Sequence, residues 1–142
     1  HFSLAEFTAS QTATRLGIDN SLPQELYTNA RRTCILLEEA RQILGKPIHI
    51  NSGYRCPKLN ERIGGSQTSA HMQALAADFV CHEFGTPLQI CQALIGKIEF
   101  DQLIDEGTWV HVGLAEGPLR NEILTARFPN GKVVYSHGLT KV

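Results

Sequence analysis

Residues Ala76 to Val80 read Ala-Ala-Asp-Phe-Val, a run of small and apolar side chains with one carboxylate in the middle. Such a run forms a short buried strand. An ionised aspartate is costly to bury there unless it is paired or meets a metal ion. Whatever fold the chain adopts must therefore bring compensating groups to Asp78. Two histidines are the candidates: His71, seven residues upstream, and His111 in the apolar run Trp109-Val110-His111-Val112. Strand alternation sets Asp78 and Phe79 on opposite faces, and His111 opposite Val110 and Val112. Two imidazoles and a carboxylate suit a catalytic zinc, which takes three protein ligands and leaves its fourth position to water. The separation of seven is longer than one helical turn, so the fold would have to gather the three. Spacing alone leaves another reading open, a satisfied core histidine beside a capped aspartate.

The rest of the chain sets bounds on what that site could serve. At 142 residues it is most simply one domain, and 42% hydrophobic against 19% charged residues is a globular balance. A formal net charge of -1 gives no basic field, which argues against nucleic acid as a partner. No apolar run approaches the ~20 residues that span a bilayer. The first residue is His1 and not methionine, which reads as a trimmed or vector-derived start. Cys34, Cys56, Cys81 and Cys91 lack C-x-x-C spacing, and Cys34 and Cys91 fall in helical patterns. All four read as reduced, structural cysteines.

Along the chain, Ser3 to Glu6 has the pattern of a capping box, opening one short helix that Gly17 closes. Asn20-Ser21-Leu22-Pro23 is a second start signal. From Leu26 to Leu44 apolar residues recur every three to four positions, a long amphipathic helix that Gly45 stops. Ile48 to Ser52 reads as a strand, Gly53 to Pro57 as a turn, and Pro57 to Ile63 as about two helical turns. A loop from Ser66 to Ala70 leads to His71. Thr86-Pro87 starts a helix expected to reach Ile98. Phe100 to Ile104 and Trp109 to Leu114 are expected strands, as are Ile123 to Phe128 and Lys132 to Tyr135 around an Asn-Gly turn. Helices gather early and strands late, so the class is α+β, with helices covering one face of a mostly antiparallel sheet.

Several motifs stand in a fixed order: Ser-Gly-Tyr-Arg at 52–55, Gly-Gly-Ser-x-x-Ser-x-His ending at His71, then Asp78, then Trp-Val-His-Val around His111. Together they resemble the zinc D-Ala-D-Ala carboxypeptidase family, above all its short single-domain members, many of them phage or prophage wall-cutting enzymes. The opening FSLAEFTASQTATRLGIDN and the closing ILTARFPNGKVVY extend the likeness over nearly the whole chain. The resemblance implies a hedgehog/D-Ala-D-Ala peptidase-like fold, a single domain over 1–142, and zinc held by His71, Asp78 and His111. It implies a monomeric peptidase acting on peptidoglycan stem peptides, made in the bacterial cytoplasm and working at the cell wall or periplasm.

Carried over residue by residue, the resemblance makes Arg55 the guanidinium that holds a substrate oxygen and steadies developing negative charge. Ser69 matches a family serine that stabilises the loop or touches substrate. Relatives often place the general base three residues before the last histidine, where this chain has Thr108. The pattern Leu103-Ile104-Asp105-Glu106 instead favours Glu106 as base, with Asp105 as runner-up. Ala74 stands where the family usually has glycine, which puts the loop geometry after His71 in question. Trp109 and Tyr54 could line the cleft or sit in the core, and His49, His82 and His137 read as structural or surface residues. A rival function is a non-catalytic, zinc-stabilised wall-binding or virion module on the same fold.

Overall fold

The computed structural model describes residues 1–139. Helices α1 (Leu4–Thr8), α2 (Gln11–Leu16) and α3 (Tyr27–Leu44) precede strand β1 (His49–Ser52) and helix α4 (Pro57–Arg62). Strand β2 (Ala76–Val80) and helix α5 (Pro87–Leu94) follow. Strands β3 (Gln102–Asp105), β4 (Val110–Gly113), β5 (Glu122–Arg127) and β6 (Val134–His137) complete the chain. The sheet runs β1-β2-β4-β3-β5-β6, antiparallel at every pair except β3 with β5. This is the expected α+β class in a single unit.

Two helix boundaries differ from expectation. The single opening helix is broken in two, because Ser10 adopts extended backbone and its hydroxyl caps Ala13 N–H, starting α2 afresh. The helix from Pro87 ends at Leu94 and not at Ile98: Ile95 is extended and Gly96 has φ +79°. The Asn-Gly turn of the last hairpin forms as expected, with both Asn130 (φ 55°) and Gly131 (φ 77°) in the left-handed region.

The two faces of the sheet have different fates. Ala77 and Phe79 of β2, Leu103 of β3 and Val110 and Val112 of β4 join Leu36, Leu37 and Ala40 of α3 and Ile90 and Leu94 of α5 in the main core. On the opposite face the strand register lines up one row: Ser52, Asp78, His111, Ile104, Leu124 and His137. Residues paired in register project to the same side. That side forms the floor of a cleft of about 1030 Å³.

The N-terminal helices hold the turn that leads into this floor. Phe7 is fully buried, and its carbonyl accepts the Tyr54 N–H at 2.9 Å. Gly53 sits so close that an added methyl would lie 2.7 Å from Phe7 Cδ1. Buried Asn20 donates to the carbonyls of Thr8 and Tyr54 and accepts the Cys56 N–H, at 2.8–3.0 Å. The sequence reading had placed Asn20 in a helix start; it is a clamp between the first twenty residues and the Ser52–Cys56 turn.

Candidate metal centre

Asp78 and His111 are direct partners across β2 and β4, and His71 arrives from the 3₁₀ turn Ala70–Gln73 just before β2. Asp78 Oδ1 lies 2.9 Å from His111 Nδ1 and 3.4 Å from His71 Nε2. One donor atom from each of the three falls within 4.8 Å of the others. Zinc bonds of 2.0–2.2 Å in a tetrahedral arrangement put neighbouring donors roughly 3.4 Å apart. The donor chemistry and the spacing both fit that ion.

Each donor is held by its surroundings. His71 Nδ1 lies 2.6 Å from the Gly53 carbonyl, which leaves Nε2 turned to Asp78. That second bond on the far ring nitrogen orients the imidazole, as ligating histidines require. Burial pushes the His71 pKa below the ordinary histidine value, which favours the neutral ring a metal needs. For His111 burial pulls the same way, but the hydrogen bond and charge of Asp78 outweigh it and raise the pKa. Burial alone would raise the Asp78 pKa; the two imidazoles reverse this and hold it well below the usual carboxylate range. The buried carboxylate is thus compensated by both histidines.

The turn after His71 is fixed from behind. Thr33 of α3 donates to the Ala74 carbonyl at 2.8 Å, and Asn29 to the Gln73 carbonyl at 3.0 Å. Ala74 itself adopts φ 58°, the left-handed conformation that glycine takes easily and alanine resists. The substitution therefore leaves the loop shape in place and stores strain.

Arg55 and Glu106 line the same cleft as the three donors. The Arg55 N–H donates to the His71 carbonyl at 3.1 Å, and its Nη2 donates to Ser69 Oγ at 3.2 Å. Ser69 Oγ also accepts the His71 N–H at 3.2 Å, so one hydroxyl sets both the loop and the guanidinium. Arg55 Nε is buried with no partner among the described residues. An orphan buried donor costs about 1–3 kcal/mol until something accepts from it. Burial lowers the Arg55 pKa, with Asp78 and Glu106 pulling it back up.

Glu106 follows β3 and receives the Trp109 indole N–H on Oε2. Burial first, and then the Asp78 charge, raise its pKa above the ordinary glutamate value. Asp105 lies elsewhere: it is buried, accepts the Gly107 N–H at 2.9 Å and is 3.3 Å from Arg127 Nη2, and it does not line the cleft. Strand alternation separates the two acids. Thr108 is exposed in the β3–β4 turn. Trp109 is at the cleft, whereas Tyr54 is in the core.

The remaining residues sort simply. His49, His82 and His137 are all exposed, and His137 also lines the cleft, at the far end of the Asp78–His111 row. All four cysteines are free; burial raises the Cys91 pKa to about 12, and Cys56 Sγ caps α4 by accepting the Leu59 N–H. No described helix is long and apolar enough to cross a membrane.

An α+β domain that gathers two histidines and an aspartate in an open cleft, beside a half-buried arginine and a glutamate of raised pKa, has a donor set that suits a metal ion. The Peptidase M15 family model matches residues 1–113, and the chain belongs to that family, the zinc D-Ala-D-Ala carboxypeptidase family. No curated protein matches the chain.

Proposed function

We propose that the protein is a zinc peptidase that cleaves a peptide bond in peptidoglycan, in the stem or the cross-link, in phage or prophage lysis of the cell wall. Family membership supports the peptidase chemistry. The observation that carries the reading is the shared cleft: the three-donor cluster, Arg55 and Glu106 with its raised pKa all line one space. His71, Asp78 and His111 would hold the zinc.

Zinc bound there supplies Lewis acidity, lowering the pKa of a water molecule towards neutrality and polarising a carbonyl. Glu106 takes the proton of the attacking water and passes it to the leaving amine. Trp109 orients the carboxylate through Oε2, and the proton is assigned to Oε1. Arg55 offers its guanidinium to the substrate oxygen, a charge-assisted bond that strengthens as negative charge grows. Ser69 keeps the guanidinium in place. One copy of the chain supplies every group, so a monomer suffices.

The rival reading, a non-catalytic wall-binding or virion module, rests on Thr108 standing where relatives often carry the acid. Mass spectrometry of purified peptidoglycan incubated with the zinc-loaded protein separates the two. Peptidase action gives new amino termini that vanish with chelator, and their masses name the bond. Intact stem peptides from folded protein with stoichiometric zinc favour the module.

A further inference from the structure

The cleft has a second wall that this chemistry leaves unused. Val133, Tyr135 and His137 alternate along β6 and its approach, and all three line the cleft, as do Leu124 and Phe128 of the β5 arm. Tyr135 is 53% exposed and Phe128 50%, although both face the space that holds the metal ligands. The hairpin lies beyond the part of the chain that the family model matches.

The register aims Tyr135 at the chemistry. Ala126 of β5 is the partner of Tyr135, and Thr125 is the partner of Asp105 on β3. Continued one residue past the end of β3, that parallel register would set Ala126 beside Glu106. Fully buried Ala126 thus lies on β5, between the strand of Tyr135 and the strand that leads to Glu106. Burial first, and then the charges of Glu106 and Asp78, raise the Tyr135 pKa. Arg55 marks the opposite end, just past β1 at the other edge of the sheet.

Strands lie about 4.8 Å apart, so the three strand steps from His111 on β4 to β6 span roughly 14 Å, the reach of about four residues of extended peptide. A dipeptide seated on the metal ligands does not fill that distance. We infer that Tyr135 is a substrate-binding residue, which holds a stem peptide several residues long: its hydroxyl donates to a peptide carbonyl or carboxylate about three to four residues from the scissile bond. Its ring and Phe128 cover the peptide's alanyl methyl groups. This rests on the peptidase reading and makes the enzyme one that prefers long stems to a free dipeptide.

Binding, and not turnover, tests the inference. Zinc-loaded Glu106→Gln protein is titrated calorimetrically with a pentapeptide stem and with D-Ala-D-Ala, in Tyr135, Tyr135→Phe and Tyr135→Ala backgrounds. Pentapeptide affinity is expected to fall about threefold for Tyr135→Phe, which loses one hydrogen bond. It falls about tenfold or more for Tyr135→Ala, with dipeptide affinity, zinc content and melting temperature unmoved. Equal pentapeptide affinity in all three, parallel losses for both ligands, or no stem binding at all would overturn it. Hydrolysis by the wild-type protein is scored separately: stem binding that depends on Tyr135 without cleavage upholds this inference and removes the peptidase reading.

Discussion

One sheet face carries two regions of opposite character. On β2 and β4, Asp78 and His111 sit in a setting where each donor is already held, with His71 fixed by the Gly53 carbonyl and Arg55 by Ser69. On β5 and β6 the same face is largely apolar and open: Leu124 and Ala126 cluster with Ile104 of the neighbouring β3, and Phe128, Val133 and Tyr135 stand exposed around them. The first region falls within the family match and the second outside it. The contrast teaches how the work divides. Chemistry needs preorganised donors that nothing can displace, whereas a wall for substrate needs surface left over for the ligand to cover.

The sharpest way to break that division is to empty the rigid region. Asp78→Ala removes one of the three proposed zinc ligands and leaves His71 and His111 without their carboxylate. Zinc content is expected to drop to near zero and turnover by about a thousandfold or more, read by elemental analysis and peptide release. A variant of the hairpin that lost zinc equally would erase the distinction.

A second test reads the electrostatics. Carboxyl NMR of the metal-free protein should place the Glu106 midpoint above the ordinary glutamate value, since burial and the Asp78 charge both favour the protonated form. Asp78→Asn removes one of those causes and should bring the midpoint down. The sign for catalysis follows: the base works ionised, so kcat/KM falls about tenfold per pH unit once pH drops below the Glu106 midpoint of the zinc-loaded enzyme, which the zinc charge sets lower than the metal-free one.

Smaller effects sharpen the account of how the rigid region is held. Gly53→Ala forces a methyl against Phe7 and disturbs the carbonyl that orients His71. It should cost about 1–3 kcal/mol in urea unfolding and weaken zinc binding as well. Ala74→Gly goes the other way. Relief of a left-handed alanine is worth about 1–2 kcal/mol, against ~0.8 kcal/mol for one buried methyl lost, so a net gain of about 0.5 kcal/mol is expected.

What the sequence made legible follows the same boundary. A carboxylate inside Ala-Ala-Asp-Phe-Val demands compensation, and the residues offering it were few, so His71 and His111 could be singled out before any geometry was known. Helix ends were readable where the signal was local, as at Gly45 and Thr86 with Gln89. Long-range hydrogen bonds were not. Asn20 spans 34 residues to Tyr54, and Arg55 reaches Ser69 across the turn, and no local periodicity reports either. The role of the hairpin was hidden for the same reason: only the parallel pairing of β3 with β5 brings Tyr135 beside the row of Glu106. Read alone, β6 is a short strand, and His137 at its end is a surface histidine.

The most direct test of the central claim is the Glu106→Gln protein, assayed for zinc and for stem-peptide cleavage beside the wild type. A neutral amide keeps the shape and still accepts the Trp109 N–H, but takes no proton. Full zinc occupancy with turnover reduced about a hundredfold or more is the predicted result. Cleavage at the wild-type rate with zinc bound would contradict the assignment of Glu106 as the base and, with it, this account of the cleft.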